Sequence, residues 1–176
     1  MAPQLAHALR VDISDGIEMD NQAWVTVQSR QMALSHCVGA GDVAGAEQLL
    51  RSGADANWRH YSSHDLTPLH EAIVTSSAGS RTGVARVLLT YGADTEAKSY
   101  GRTPLQGVVS RGQLELIELL LEAGADVDAV DGRHATALQD AACFCLPSGH
   151  DGSGIRALLE YGASLMSERD DCCWSR

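Results

Sequence analysis

An all-α solenoid of stacked helix pairs is the fold class that this chain of 176 residues predicts. Three observations carry it. Gly-Ala-Asp occurs at Gly53, Gly92 and Gly124 and Gly-Ala-Ser at Gly162, in steps of 39, 32 and 38 residues. Thr-Pro-Leu occurs at Thr67 and Thr103 and Thr-Ala-Leu at Thr136, in steps of 36 and 33. Between these signals apolar residues fall at helical spacing, in runs too short to make helices that stand alone. Four copies of a small unit that must stack to bury their apolar faces make a solenoid.

The unit is clearest over residues 103–128, TPLQGVVSRGQLELIELLLEAGADVD. Thr103 can cap a helix with its hydroxyl, and Pro104 takes the first helical position, where its missing N–H costs nothing. A turn at Arg111-Gly112 ends this helix. Leu114, Ile117, Leu120 and Leu121 then recur at helical spacing, and Gly124 supplies a left-handed stop.

Thr67-Pro68-Leu69-His70-Glu71-Ala72, with the Leu-Leu…Gly-Ala-Asp endings, resembles the ankyrin repeat over residues 31–166. The resemblance implies an ankyrin-repeat solenoid of helix-turn-helix units with short β-hairpin connections, a concave binding face and an adaptor rather than an enzyme. It divides the chain into an N-terminal arm and capping helix (1–30), a repeat domain (31–166, with repeats at 31–57, 65–96, 101–128 and 134–166) and a C-terminal tail (167–176). It also gives His70 a structural role, hydrogen-bonding between repeats.

Composition narrows the partners. A hydrophobic content of 44% supports a core, and an aromatic content of 5% makes that core aliphatic. The net charge of -10, from 23 acidic and 13 basic residues, speaks against a groove that tracks phosphates, so no nucleic-acid partner is expected. No apolar run reaches membrane length, and MAPQLAHALRVDISDG lacks a basic start before a long apolar centre. The five cysteines, Cys37, Cys143, Cys145, Cys172 and Cys173, are odd in number and lack framework spacing, as reduced thiols do. A cytoplasmic or nuclear protein with no membrane partner is the expectation. No cofactor motif is present, and Cys143-Phe144-Cys145 lacks the second Cys pair that a structural zinc site needs.

In chain order, residues 1–20 carry Asp12, Asp15, Glu18 and Asp20 and read as a flexible or loosely docked arm. Residues 21–30, with Ala23, Trp24 and Val27, predict a helix over the open end of the first repeat, Trp24 packing within it. The first repeat has Met32-Ala33-Leu34-Ser35 in place of Thr-Pro, as atypical terminal repeats do. Cys37 there takes the place of a small buried residue, and no third partner makes a nucleophile of it beside His36. Repeats two and four are enlarged: Thr67 and Gly92 are 25 positions apart and Thr136 and Gly162 are 26, against 21 from Thr103 to Gly124. The extra residues, Gly- and Ser-rich, are assigned to loops at 76–81 and 146–154, which are either neutral insertions or flaps on the groove. After Ser164 twelve residues remain. The last repeat therefore needs a cover: the tail with Leu165, Met166 and Trp174, or a second molecule in a homodimer.

Two readings of function follow. In the first, a non-catalytic protein–protein interaction module holds a partner through its concave groove and hairpin tips. The segment ADANWRHYSSHDL after Gly53 concentrates Trp58, His60, Tyr61 and His64, and the later hairpins add Tyr100, Arg102, Arg111 and Arg133. Exposed Trp, Tyr and Arg are favoured anchors, and Arg can fork onto a carboxylate. Packing between hairpins and ion pairs in the rim are the competing fates of these groups. In the second, a small-molecule-binding or catalytic protein closes its groove with the arm and enlarged loops, and His60, His64, Asp65, His134 and Asp140 transfer protons. A closed cavity lined by His and Asp would favour the second reading; an open groove would end it.

Overall fold

The computed structural model describes residues 21–59, 66–75, 78–148 and 152–164. The acidic arm, the tail with its adjacent Cys172 and Cys173 and the segment containing His60, Tyr61, His64 and Asp65 lie outside them.

Between Asn21 and Val38 the sequence holds neither Pro nor Gly, and nothing interrupts a helix. The result is α1, Asn21–Ala40. The expected cap and the first helix of repeat one are thus a single element; the side chain of Trp24 lies outside the described set. Asp42 then caps α2, Val43–Arg51, its Oδ1 accepting the Gly45 N–H at 3.0 Å. The remaining helices follow in pairs: α3 (Pro68–Thr75) and α4 (Ala78–Thr90), α5 (Pro104–Val109) and α6 (Leu114–Glu122), α7 (Ala137–Ser148) and α8 (Ser153–Glu160). The first helices α1, α3, α5 and α7 pack in succession as one layer, and the second helices α2, α4, α6 and α8 as another. Leu34, Leu69, Leu88, Leu105, Ile117, Leu120 and Leu158 are fully buried in one continuous core between the layers. Six residues of α5 could not hold a helix in water, so neighbours on both sides hold it.

The repeated signals act as the sequence predicts. At Thr103, Oγ1 accepts from Gln106 N–H and Gln106 Oε1 accepts from Thr103 N–H, a capping box with Pro104 in the first turn. Gly53, Gly92, Gly124 and Gly162 have φ of 90, 81, 89 and 87°. The Ala after each turns its N–H back to the helix, as in Ala125 to Leu120 C=O at 3.0 Å. The following Asp accepts from the N–H two residues on, at 2.8 Å for Asp55 to Asn57 and 2.8 Å for Asp94 to Glu96.

Two expected loops are shorter than composition implies. Ala78, Gly79, Ser80 and Arg81 open α4 instead of bridging to it. Packing outweighs propensity here. Val84, Ala85 and Leu88 on the same helix are buried, and a Cβ on Gly83 would stand 2.9 Å from Val43 Cγ2, so glycine lets α4 approach α2. Likewise Leu146, Pro147 and Ser148 extend α7, which packs on α5 and α8. Residues 76–77 and 149–151 lie outside the described set.

A polar ladder ties each repeat to the next. Asn57 Oδ1 accepts the Asp94 N–H at 2.7 Å and its Nδ2 donates to Gly92 C=O at 2.9 Å. Glu96 Oε1 accepts from Asp126 N–H at 2.9 Å, and Asp128 Oδ1 from Ser164 N–H at 2.8 Å. Each acceptor stands four residues after its Gly. Asn57→Ala should cost about 1 kcal/mol, the net worth of partly exposed hydrogen bonds; an unchanged urea midpoint would show that the ladder only decorates the stack.

Candidate partner-binding surface

The two connections described throughout, before and after repeat three, are tight hairpins. Ser99 and Arg102 exchange both backbone hydrogen bonds at 2.9 Å. The two residues between them, Tyr100 and Gly101, have φ of 53 and 77°. This is a two-residue primed turn, whose hand suits the strand twist and whose positive φ favours Asn and Gly. Tyr100 occupies it nonetheless, and is 68% exposed. In the next connection Val130 pairs with Thr136, and His134 also has positive φ, 63°, at an exposed position. Gly132 N–H donates to Gly101 C=O at 2.9 Å, and a Cβ on Gly101 would lie 3.2 Å from Gly132 N. The hairpins stack this closely because Gly101 lacks a side chain, whereas a Cβ on Gly132 would meet Gly101 Cα at an ordinary 3.7 Å.

Four charged side chains lock these hairpins to the helices. Asp131, buried, accepts through Oδ1 from the N–H groups of Arg133 at 2.7 Å and Ala135 at 2.9 Å, and through Oδ2 from Arg133 Nε at 2.9 Å. Asp140, in the first turn of α7 and also buried, accepts from Arg102 through Oδ2 and from Arg133 Nη2 through Oδ1 at 3.3 Å. Burial pushes the Asp140 carboxyl up from its ordinary value, and Arg102 and Arg133 offset part of that. Burial acts the same way on Asp131, but the Ala135 N–H and Arg133 outweigh it and hold that carboxyl below the usual range. Asp140→Ala leaves both guanidiniums without their shared acceptor. The Arg133 side chain, 66% exposed, can turn to water, whereas that of Arg102, 29% exposed, is more confined. A stability loss of about 2 kcal/mol by urea denaturation is expected; a loss no larger than that of an exposed pair would contradict it.

His70 joins the cluster from α3. Its Nδ1 lies 2.9 Å from Thr67 Oγ1 and its Nε2 3.3 Å from the Arg102 carbonyl oxygen. Those partners assign the proton to Nε2, with Nδ1 accepting from the Thr67 hydroxyl. Arg102 is therefore held by its backbone from repeat two and by its side chain from repeat four. In repeat three the residue equivalent to His70 is Gln106, fully buried, whose Nε2 donates to Ala129 and Ala135 C=O at 3.1 and 2.8 Å.

The other candidate residues are dispersed. Trp58 is half-buried at the first connection, and neighbouring Arg59 donates from Nη1 to Lys98 C=O at 3.2 Å. Arg111 is exposed beyond α5, donating from Nη1 to Gly107 C=O at 2.9 Å. Of the acid–base candidates, Asp140 is bound to two guanidiniums and His134 stands exposed on a hairpin. His60, His64 and Asp65 lie outside the described residues.

Sequence reasoning does not single out the first-helix face. An open depression of about 410 Å³ lies between α1 and α3, lined by Met32, Ser35, His36, Gly39, Ala40 and Glu71. Ser35 Oγ donates to Glu71 Oε2 across it. Met32 is 54% exposed, as is Val74, at 49%, one turn beyond Glu71. The signal in the sequence is apolar residues that fall off the buried stripe of their helices, as Met32 does beside buried Leu34 and Val38. At nearby Cys37, burial first and then Asp42 push the thiol up, which disfavours the reactive thiolate. Among the described residues no group of three potential ligands could hold a metal ion, and no helix is long and apolar enough to cross a membrane.

Comparison with known proteins agrees with this architecture. Residues 79–169 match the family model described as ankyrin repeats (3 copies). The chain is 29% identical over 107 residues to the putative ankyrin repeat protein FPV024 of Fowlpox virus, covering 60% of this chain and 17% of that protein. It is 34% identical over 104 residues to ankyrin repeat protein nuc-2 of Neurospora crassa, covering 58% of this chain and 9% of the relative. With neurogenic locus notch homolog protein 1 of Xenopus laevis it shares 33% identity over 132 residues, 74% of this chain and 5% of that protein. The chain thus spans only a small part of the length of these relatives. With the family model covering just over half of the chain and the helix pairs, left-handed glycine stops and stacked hairpins in place, the chain belongs to the ankyrin-repeat family.

Proposed function

We propose that the chain is a non-catalytic protein-interaction module that holds a segment of a partner protein along its first-helix face and hairpin tips. The observation that carries this reading is the exposure of Met32 in the lining of an open depression and of Val74 one turn beyond Glu71 on α3, where a partner's apolar side chain would find contact area. Tyr100, held outward on a hairpin tip, adds an aromatic group to the exposed surface. The general use of ankyrin repeats as protein–protein interaction modules supports it, by analogy of fold. The net charge of -10 disfavours a nucleic-acid partner. A cytoplasmic or nuclear address, where thiols stay reduced, belongs to the same reading. A homodimer through the last repeat belongs to the same reading, and light scattering decides it.

The test places a photo-crosslinking amino acid at Met32, at Val74 and, as a control, at exposed Glu118 on α6 of the opposite layer. One protein adduct shared by the first two positions and absent from the third is the expected result. Adducts of equal yield from all three, or none from any, would remove the reading.

A further inference from the structure

We infer that the stacked hairpin tips are a docking edge for an acidic, extended segment of a partner protein. The inference rests on the module reading and names the chemistry of its partner. Lys98, Tyr100, Arg133 and His134 present exposed side chains at the ends of two adjacent connections. The exposed carboxylates of the same connections, Asp94, Glu96, Asp126 and Asp128, each accept from a backbone N–H, and Asp131 is buried and engaged with Arg133 and backbone N–H groups. On a chain of net charge -10, the ends of these two hairpins are therefore where cationic and aromatic side chains collect, with the carboxylates tied to backbone nearer the repeats. A long polyanion is repelled by the whole molecule, whereas a short acidic segment meets chiefly the local charge.

The backbone adds a second, independent sign. Among the described residues Tyr100 and His134 are the non-glycine residues with positive φ, and they sit on neighbouring tips. A bulky side chain in that region is strained, and Gly or Asn would relieve it. Strain kept at two exposed ring-bearing residues points to a role for the rings themselves. The tips are also rigid before any partner arrives. Ser99 and Arg102 are doubly bonded, Gly101 accepts from Gly132, and Arg59 reaches the carbonyl of Lys98. A partner segment laid across them loses little free energy in ordering the surface. Its carboxylates would meet Lys98 and the exposed guanidinium of Arg133, and an apolar residue between them would rest on the Tyr100 ring.

Fluorescence anisotropy with the full chain tests this, using a labelled peptide in which Glu alternates with Leu, its Gln–Leu and Lys–Leu counterparts, and an oligothymidylate. The Glu–Leu peptide alone should bind. Lys98→Glu, at an exposed position, should weaken it about tenfold without moving the melting temperature. Tyr100→Gly should weaken it comparably while raising the melting temperature by about 2 °C, because glycine relieves the turn. Binding no tighter than that of the Gln–Leu peptide, equal binding of the oligothymidylate, or indifference to Lys98→Glu would overturn the inference. If crosslinks from Met32 and Val74 persist while the Glu–Leu peptide fails to bind, the module stands and its acidic partner falls. Peptide binding without those crosslinks would keep the acidic edge and remove the first-helix face.

Discussion

Gln106→Leu should destabilise the protein by about 4 kcal/mol, although it puts a more apolar group into a fully buried site. The Gln106 side chain satisfies three backbone groups: Thr103 N–H through Oε1 at 2.9 Å, and the carbonyls of Ala129 and Ala135 through Nε2. Thr103 and Ala135 are themselves buried, and no water could replace the lost partner without opening the stack. Each orphaned group costs about 1–3 kcal/mol, against roughly 1 kcal/mol gained from added apolar burial. The sharper variant is Gln106→His. Repeat two carries His70 at the equivalent place, bonded through Nε2 to the carbonyl of Arg102 in the next connection. Histidine at 106 should therefore recover at least half of what leucine loses. Urea midpoints of the three proteins decide it; a His variant as unstable as the Leu variant would mean that shape, not hydrogen bonding, fixes this position.

The local rules are legible in the sequence because each acts within one unit. Thr103 caps its own helix, and Gly124 stops its own. The ladder through Asn57, Glu96 and Asp128 is hidden, since each of its bonds crosses to the next repeat and the residue type changes from amide to carboxylates of two lengths. Only a shared position, four residues after Gly, marks it. The start of α4 within 76–81 is obscured for a related reason. Gly and Ser lower helix propensity, but α4 lies between α2 and α6, and Thr82 Oγ1 donates to Glu115 Oε2 at 3.2 Å. Tertiary contact decides a helix whose propensity is weak.

The candidate site shows the same limit. Residue type alone marks Arg102 and Arg133 as partner anchors and Asp140 as a proton donor or acceptor, whereas the fold pairs them with one another. Their pairing depends on the register in which one repeat lies on the next, and the separation of 38 residues between Arg102 and Asp140 hides it. Tyr100 stands out in the sequence by type and place. Its positive φ comes from the two-residue turn closed by Ser99 and Arg102, and that turn is not evident in SYGR without the pairing.

Lowering the pH should remove about 3 kcal/mol of stability through His70 alone. Burial is the main reason: at 7% exposure the imidazolium form is poorly solvated, and the group's value falls from 6.5 to about 4. The Arg102 carbonyl and Asp94 pull it up and Arg59 pushes it further down, none of them enough to reverse burial. The sign follows from linkage. Above pH 6.5 His70 is neutral in both states and its contribution is complete. As pH falls from 6.5 towards 4 the unfolded chain takes up a proton that the folded one refuses, and stability declines by about 1.4 kcal/mol per pH unit. Below about 4 both states are protonated and this decline ends. Burial also pushes the Asp140 carboxyl up, and other groups respond to acid as well, so the informative quantity is the difference between wild type and His70→Gln. Glutamine already serves the equivalent role at Gln106, and the variant should fold with its inter-repeat hydrogen bond kept. Urea denaturation at steps from about pH 7 to about pH 4 should show the wild type losing its lead, and the variant becoming the more stable protein at the acid end. Parallel profiles across that range would place the proton-sensitive group elsewhere and return His70 to a solvated environment.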